Sequence, residues 1–596
     1  VIGQVHSLDN KEMPASAAPI AYTLRFPAPQ THYVEVEAAV PTGGRPRIDL
    51  FMAVWTPGSY LIREYARHVE NIAARSESGS PLYIQKSAKN RWLVDCDGAA
   101  LVTVTYRVYG REMTVRNNWI ESGFAMLNGA PTFISLVETG PTAGVRRPHD
   151  VRIELPPAWQ TSATALTPVD GQPHSYRADD FDALVDNPII LGNSVQREFT
   201  VADKRHVVVF EGDTAFVDVS RVAADTQRIV EAAGRVMSGR FDYPQYYAIT
   251  LIVDAGGGLE HTNCFLIMTN RFMTRTRRAY LGYLSLVAHE HFHAWNIKRM
   301  RPVELGPFDY EREVYTRALW VAEGFTDYYA ALLVRRAGIS TRDEFLEELS
   351  THIEAVQTSP GRLVTSAAMS SYDAWIKQYR PDENTPNTTI NYYPKGAVIA
   401  FLLDAHIRRL TDGARSLDDA MRFAYERFAD VRGYTLEDFY TAMSEAVESD
   451  LRPWLTRSAE SIEEFDYRDA LDWFGLRVRL VDPRAQRASI GAATRNDGGR
   501  LVLSEVRRDT PAYAAGLNVA DEILAIDEIR VRPDGLAARL EQYAPGDKVA
   551  ILLARRDRLM HFDLTLGVEP ASTWRLEASP TATEEQRRHV IAWLGN

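Results

Sequence analysis

The residues best placed to do chemistry are the run His289-Glu290-His291-Phe292-His293. Apolar residues from Ala279 to Lys298 recur at helical spacing, so positions four apart share one face. His289 and His293 can each aim an imidazole nitrogen at one cation, with the Glu290 carboxylate beside it to take a proton from water. His291 lies off that face and reads as a neighbour. A catalytic zinc takes three protein donors and keeps one position open, so a third donor is required. The helical stretch 320–329 supplies Glu323, and one turn later Asp327, which can accept a hydrogen bond from a ligand imidazole and fix its tautomer. Two acids at that spacing are ordinarily a solvated face, but Trp320, Phe325 and Tyr328 around them predict burial. The set predicts one zinc ion per chain on His289, His293 and Glu323, with Glu290 as general base.

These residues need elements to hold them, and 596 residues exceed what one core can organise. At roughly 100–200 residues per domain, three or four domains are expected. A content of 45% hydrophobic and 24% charged residues excludes a disordered or fibrous chain. The net charge of −12 and the scattered basic residues exclude a nucleic-acid footprint. No segment reaches the roughly 20 consecutive apolar residues of a membrane-spanning helix. Cys96 and Cys264 are too far apart in sequence for a disulfide framework and read as buried packing residues.

From Ala21 to Phe210 short strands alternate at period two, as in 33–37 and 101–106, which predicts an all-β domain. Inside it, Trp55-Thr56-Pro57-Gly58-Ser59-Tyr60 has Pro-Gly turn chemistry between aromatics and reads as a structural turn before a binding one. Past residue 215 the spacing becomes helical over 222–237, with a strand over 247–253. Thr341 with Glu344 and Thr435 with Asp438 mark helix starts by capping boxes. Residues 472–568 return to short strands around one small helix, and 583–594 reads as a terminal helix. The expected domains are 1–214 (β), 215–470 (catalytic), 471–570 (a small β module) and a tail over 571–596. Asn387-Thr388-Thr389 has the form of a glycosylation acceptor and is read as a chance match.

Residues 506–517 and 521–527, centred on Thr510-Pro511-Ala512-Tyr513-Ala514-Ala515-Gly516-Leu517, resemble the PDZ family. The zinc pattern resembles the gluzincin clan, and further segments are similar to its aminopeptidase branch. Gly257-Gly258-Leu259-Glu260-His261 resembles the Gly-x-Met-Glu-Asn strand, with Leu259 and His261 in place of Met and Asn. Tyr393-Pro394-Lys395-Gly396 resembles the Tyr-x-Lys-Gly segment, and Trp295 also matches. Taken whole, the chain resembles the glycyl aminopeptidase family of bacterial enzymes.

That resemblance implies a multidomain α+β protein with an N-terminal all-β domain, a thermolysin-like catalytic domain and a C-terminal PDZ domain. It implies that Glu260, on the strand opened by Gly257 and Gly258, binds the α-amine of peptides with a free N-terminus. It also implies that Tyr393 stabilises the oxyanion and that Gly or Ala is preferred at the N-terminus. Two alternatives stand beside it: a zinc endopeptidase with a structural Glu260, and a PDZ-centred peptide-binding protein with a vestigial peptidase domain. The turn Phe474-Gly475-Leu476 is the expected seat for the carboxylate of a C-terminal peptide ligand, unless the PDZ module is purely structural. A periplasmic or secreted bacterial protein is the expectation, with the cytoplasm left open.

Overall fold

The computed structural model describes residues 18–138, 146–429, 433–480, 487–569 and 574–595. The chain forms two compact units, one of residues 1–223, 243–276 and 308–313, the other of 224–242, 277–307 and 314–596.

The first unit is built from the period-two segments. Tyr33–Pro41 and Leu101–Tyr109 pair antiparallel, with Tyr33 opposite Tyr109. In both strands every second residue is buried, so the alternation in sequence becomes one apolar face. These two strands lie inside an eight-stranded sheet. Its face, through Val34, Val36, Val102 and Val104, shares a core with Ile48, Leu50, Trp92 and Val94 of a four-stranded sheet. A mixed five-stranded sheet follows, in the order Val195–Val201, Lys204–Gly212, Gln245–Ile252, Cys264–Thr269, Gly257–Glu260. Its parallel central strands are almost continuously apolar because both faces are covered. Val207, Ile249 and Leu266 pack with Val115, Phe124 and Met126 in one core. Cys96 and Cys264 are both buried free thiols.

The second unit is mainly helical. The boxes at Thr341/Glu344 and Thr435/Asp438 form as the sequence indicates and open the helices Arg342–Gln357 and Leu436–Val447. Toward the C-terminus, strands between Ala492 and Thr565 make a six-stranded antiparallel sheet. Leu503, Ile523, Ile526, Ile551 and Leu553 form its own core, with the short helices Pro511–Ala515 and Leu536–Leu540 alongside. Asn387 is buried and ties this module to the helices: its amide donates to the Val506 carbonyl at 3.0 Å and accepts from the Arg508 N–H at 2.7 Å.

The expected carboxylate seat at Phe474-Gly475-Leu476 lies outside the six-stranded sheet. Phe474 ends the helix Arg468–Phe474, and Gly475 caps it in the left-handed region at φ 56°. Leu476 opens a strand that, among the described residues, pairs with Trp574–Ala578 alone. Gly475 is packed against Ala582 and Gln586, and Phe474 stacks on Trp593 at 4.1 Å between ring centroids. The glycine ends a helix and admits the close approach of the C-terminal helix Glu584–Leu594.

Candidate metal centre

His289 and Glu290 lie in the last turn of the helix Arg277–Phe292, and His293 follows it directly. The His293 N–H still donates to the His289 carbonyl at 3.3 Å, so the four-residue spacing keeps both rings on one side. Glu323 is carried by a π-helical segment, Trp320–Phe325, which runs into the helix Thr326–Arg336. Single π-turns inside helices commonly sit at functional sites, because the extra residue per turn re-aims a side chain.

The three donors converge. His289 Nε2 lies 3.0 Å from His293 Nε2, and Glu323 Oε2 lies 3.5 Å and 3.3 Å from them respectively. Bonds of about 2.0–2.1 Å at tetrahedral angles would put donors roughly 3.3 Å apart, so this spacing fits zinc. All three side chains are buried, Glu323 to 2% exposure. The other nitrogen of each ring is occupied: His289 Nδ1–H donates to Asp327 Oδ1 at 2.8 Å, and His293 Nδ1–H donates to the Asn296 carbonyl at 2.9 Å. These bonds fix the tautomers that leave both Nε2 lone pairs aimed inward.

Electrostatics favour positive charge at this point. Burial disfavours a charged His289, but its bonds to Asp327 and Glu323 outweigh that and hold its pKa well above the ordinary value. Burial likewise opposes the Glu323 carboxylate, yet the charge of His293 and the bonds from both rings bring it down to about 2. A pocket that holds a proton by these forces attracts a divalent cation by the same forces.

Glu290 is buried, with a carboxylate oxygen within 4.8 Å of a His293 ring nitrogen. Tyr393 stacks toward His289 at 6.2 Å and 21°. It opens the helix Tyr392–Leu410, whose cap Asn391 accepts the Tyr393 N–H at 2.9 Å. The tyrosine reaches the histidines because that helix crosses the π-turn at two glycines. A Cβ on Gly324 would overlap the Gly396 Cα, and one on Gly396 would overlap the Trp320 carbonyl. Lys395 of the same segment is buried, and burial lowers its pKa to about 8.

Sequence reasoning missed Asn296. Its amide donates to the carbonyls of Val321 and Ala322 and to Thr326 Oγ1, at 2.9, 3.1 and 3.0 Å, and so joins the turn after His293 to the segment bearing Glu323. The nearest sequence signal is its place three residues after His293, which alone says nothing of the distant partner. Glu260 belongs to the first unit. It ends the outer strand of the five-stranded sheet, opposite Phe265, and is buried to 5% exposure. The Gly258 carbonyl on that strand accepts from Arg116 Nη2 at 3.4 Å, and the neighbouring His261 is buried with Nδ1 3.2 Å from Asp186 Oδ1.

Two parts of the chain match family models: residues 21–193 match the peptidase M61 N-terminal domain, and residues 282–399 match M61 glycyl aminopeptidase. Among curated proteins no sequence matches. Among solved structures, an aminopeptidase N family protein from Idiomarina loihiensis is 29% identical with a TM-score of 0.89, covering 97% of this chain and 100% of that one. An M1 zinc metallopeptidase from Deinococcus radiodurans is 13% identical with a TM-score of 0.47, covering 76% of this chain and 95% of that one.

Proposed function

We propose that this chain, a metallopeptidase that belongs to the M61 glycyl aminopeptidase family, is a zinc aminopeptidase that removes small residues, Gly or Ala, from peptides with a free N-terminus. The observation that carries the metal assignment is the convergence of His289, His293 and Glu323 at 3.0–3.5 Å, the donor types and spacing that would hold a catalytic zinc. Zinc, when bound, supplies Lewis acidity to the scissile carbonyl and to a water. Glu290, buried next to His293, accepts the proton of the attacking water and returns it to the leaving amine. Tyr393 donates its hydroxyl to the oxyanion, where charge develops only in the transition state. Asp327 and the Asn296 carbonyl keep the two imidazoles in their ligating tautomers. Glu260 pairs with the substrate's α-ammonium, a charge-assisted bond that registers the peptide by its first residue.

The C-terminal six-stranded module completes the reading as a PDZ-like domain. Its outermost strand Ala492–Asp497 and the helix Leu536–Leu540 border a groove lined by Ser489, Ile490 and Thr494, where an extended peptide could add as a strand.

Elemental analysis together with hydrolysis of glycine 4-nitroanilide tests the assignment. About one zinc per chain is expected, and Glu290→Gln should keep the metal and lose nearly all turnover. A fully active, metal-free preparation indifferent to chelators would refute the zinc reading, and wild-type turnover in a folded Glu290→Gln protein would reject the base.

A further inference from the structure

We infer that Gly58, at the tip of the Trp55–Tyr60 turn, is a positioning residue for Glu260: its missing side chain makes the space that the amine-binding carboxylate occupies. The inference rests on the reading of Glu260 as the substrate's ammonium partner.

Gly58 stands at φ +83°, and a Cβ built on it would lie 2.6 Å and 2.7 Å from the two Glu260 carboxylate oxygens and 2.7 Å from Leu259 Cδ1. Both residues belong to the same compact unit. The turn itself cannot retreat. Trp55 Nε1 donates to the Asp309 carbonyl at 2.7 Å, the Ser59 N–H donates to the Thr56 carbonyl at 3.1 Å, and Arg63 Nη2 donates to Ser59 Oγ at 3.0 Å. Every residue from Trp55 to Tyr60 is buried, so the backbone is fixed from below. The movable party is the end of the Glu260 side chain. A methyl at position 58 therefore pushes the carboxylate aside along with Leu259 Cδ1, besides straining the turn through its φ, and a turn that reads in sequence first as structural sets where the peptide N-terminus is held.

The test is a double-mutant cycle in the full-length zinc-loaded enzyme, using Gly58→Ala, Glu260→Ala and the double variant. Kinetics on glycine 4-nitroanilide and its N-acetylated counterpart would be combined with metal content and thermal melting. Gly58→Ala should raise KM for the free-amine substrate about tenfold with kcat changed less, keep its zinc, and have under a twofold effect once Glu260 is already alanine. Independent, multiplicative effects of the two substitutions, or an unchanged KM in Gly58→Ala, would overturn the inference. If Glu260→Ala leaves the preference for the free amine intact, the underlying reading fails instead. Should Gly58→Ala not fold, the double variant decides: recovery of soluble protein when the carboxylate is removed supports the contact, and continued insolubility assigns the defect to the turn's φ and overturns it.

Discussion

Replacing Asp327 by alanine removes the acceptor of the 2.8 Å bond from His289 Nδ1, without touching any donor to the metal. A hydrogen bond to a charged group contributes about 1.5–3 kcal/mol. At about 1.4 kcal/mol per factor of ten, its loss should weaken zinc binding by roughly 10- to 100-fold. Asparagine retains an acceptor oxygen and loses the charge, so Asp327→Asn should fall between wild type and Asp327→Ala. Competition with a chromophoric chelator gives the zinc dissociation constants, and circular dichroism establishes that each variant is folded. Equal zinc affinity in wild type and folded Asp327→Ala would refute the claim that this carboxylate orients the ligand. An asparagine variant weaker than the alanine one would refute the ordering.

Gly324→Ala places a methyl over the Gly396 backbone, where no side chain can give way, so a loss at or above the roughly 1–3 kcal/mol of overpacking is expected. Urea melts that match wild type would show that the two helices have slack. Trp593 is fully buried, stacks on Phe474 and donates from Nε1 to the Tyr328 hydroxyl at 2.7 Å, so Trp593→Ala should cost about 3–5 kcal/mol. A change below 1 kcal/mol would mean the terminal helix is dispensable. Burial holds His149 down to about 4 from the ordinary 6.5. Between those values the unfolded chain binds the extra proton, so stability rises with pH and is lost as pH falls from about 6.5 to about 4, by up to about 3 kcal/mol. His149→Gln can keep a bond to Ser135, which His149 Nε2 meets at 3.0 Å, and should lose that share of the slope. Chemical denaturation at several pH values would show it, and identical slopes would refute it.

What the sequence carried was local. Four-residue spacing puts His289 and His293 on one face wherever the helix lies, because the backbone period is fixed by its own hydrogen bonds. Alternation in 33–41 and 101–109 announces half-buried strands for the same reason, and a Thr followed three residues later by an acid announces a helix start. Glu323 and Asp327 stood out because a catalytic zinc needs a third donor beyond the two histidines and aromatic neighbours imply burial. The register of Glu323 against the histidines was not legible, since it depends on a π-turn and on Asn296 bridging segments distant in the chain. Nor could sequence tell that Gly324 and Gly396 meet, or that Gly58 lies against Glu260, because a glycine's use is defined by what fills the space beside it. Phe474-Gly475-Leu476 shows the same limit from the other side: nothing in a Gly after an aromatic tells that it ends a helix against Ala582 and Gln586, with Trp593 stacked on Phe474. Local periodicity is written by backbone geometry, whereas close approach between distant segments is decided by the collective packing of side chains that no window of sequence contains.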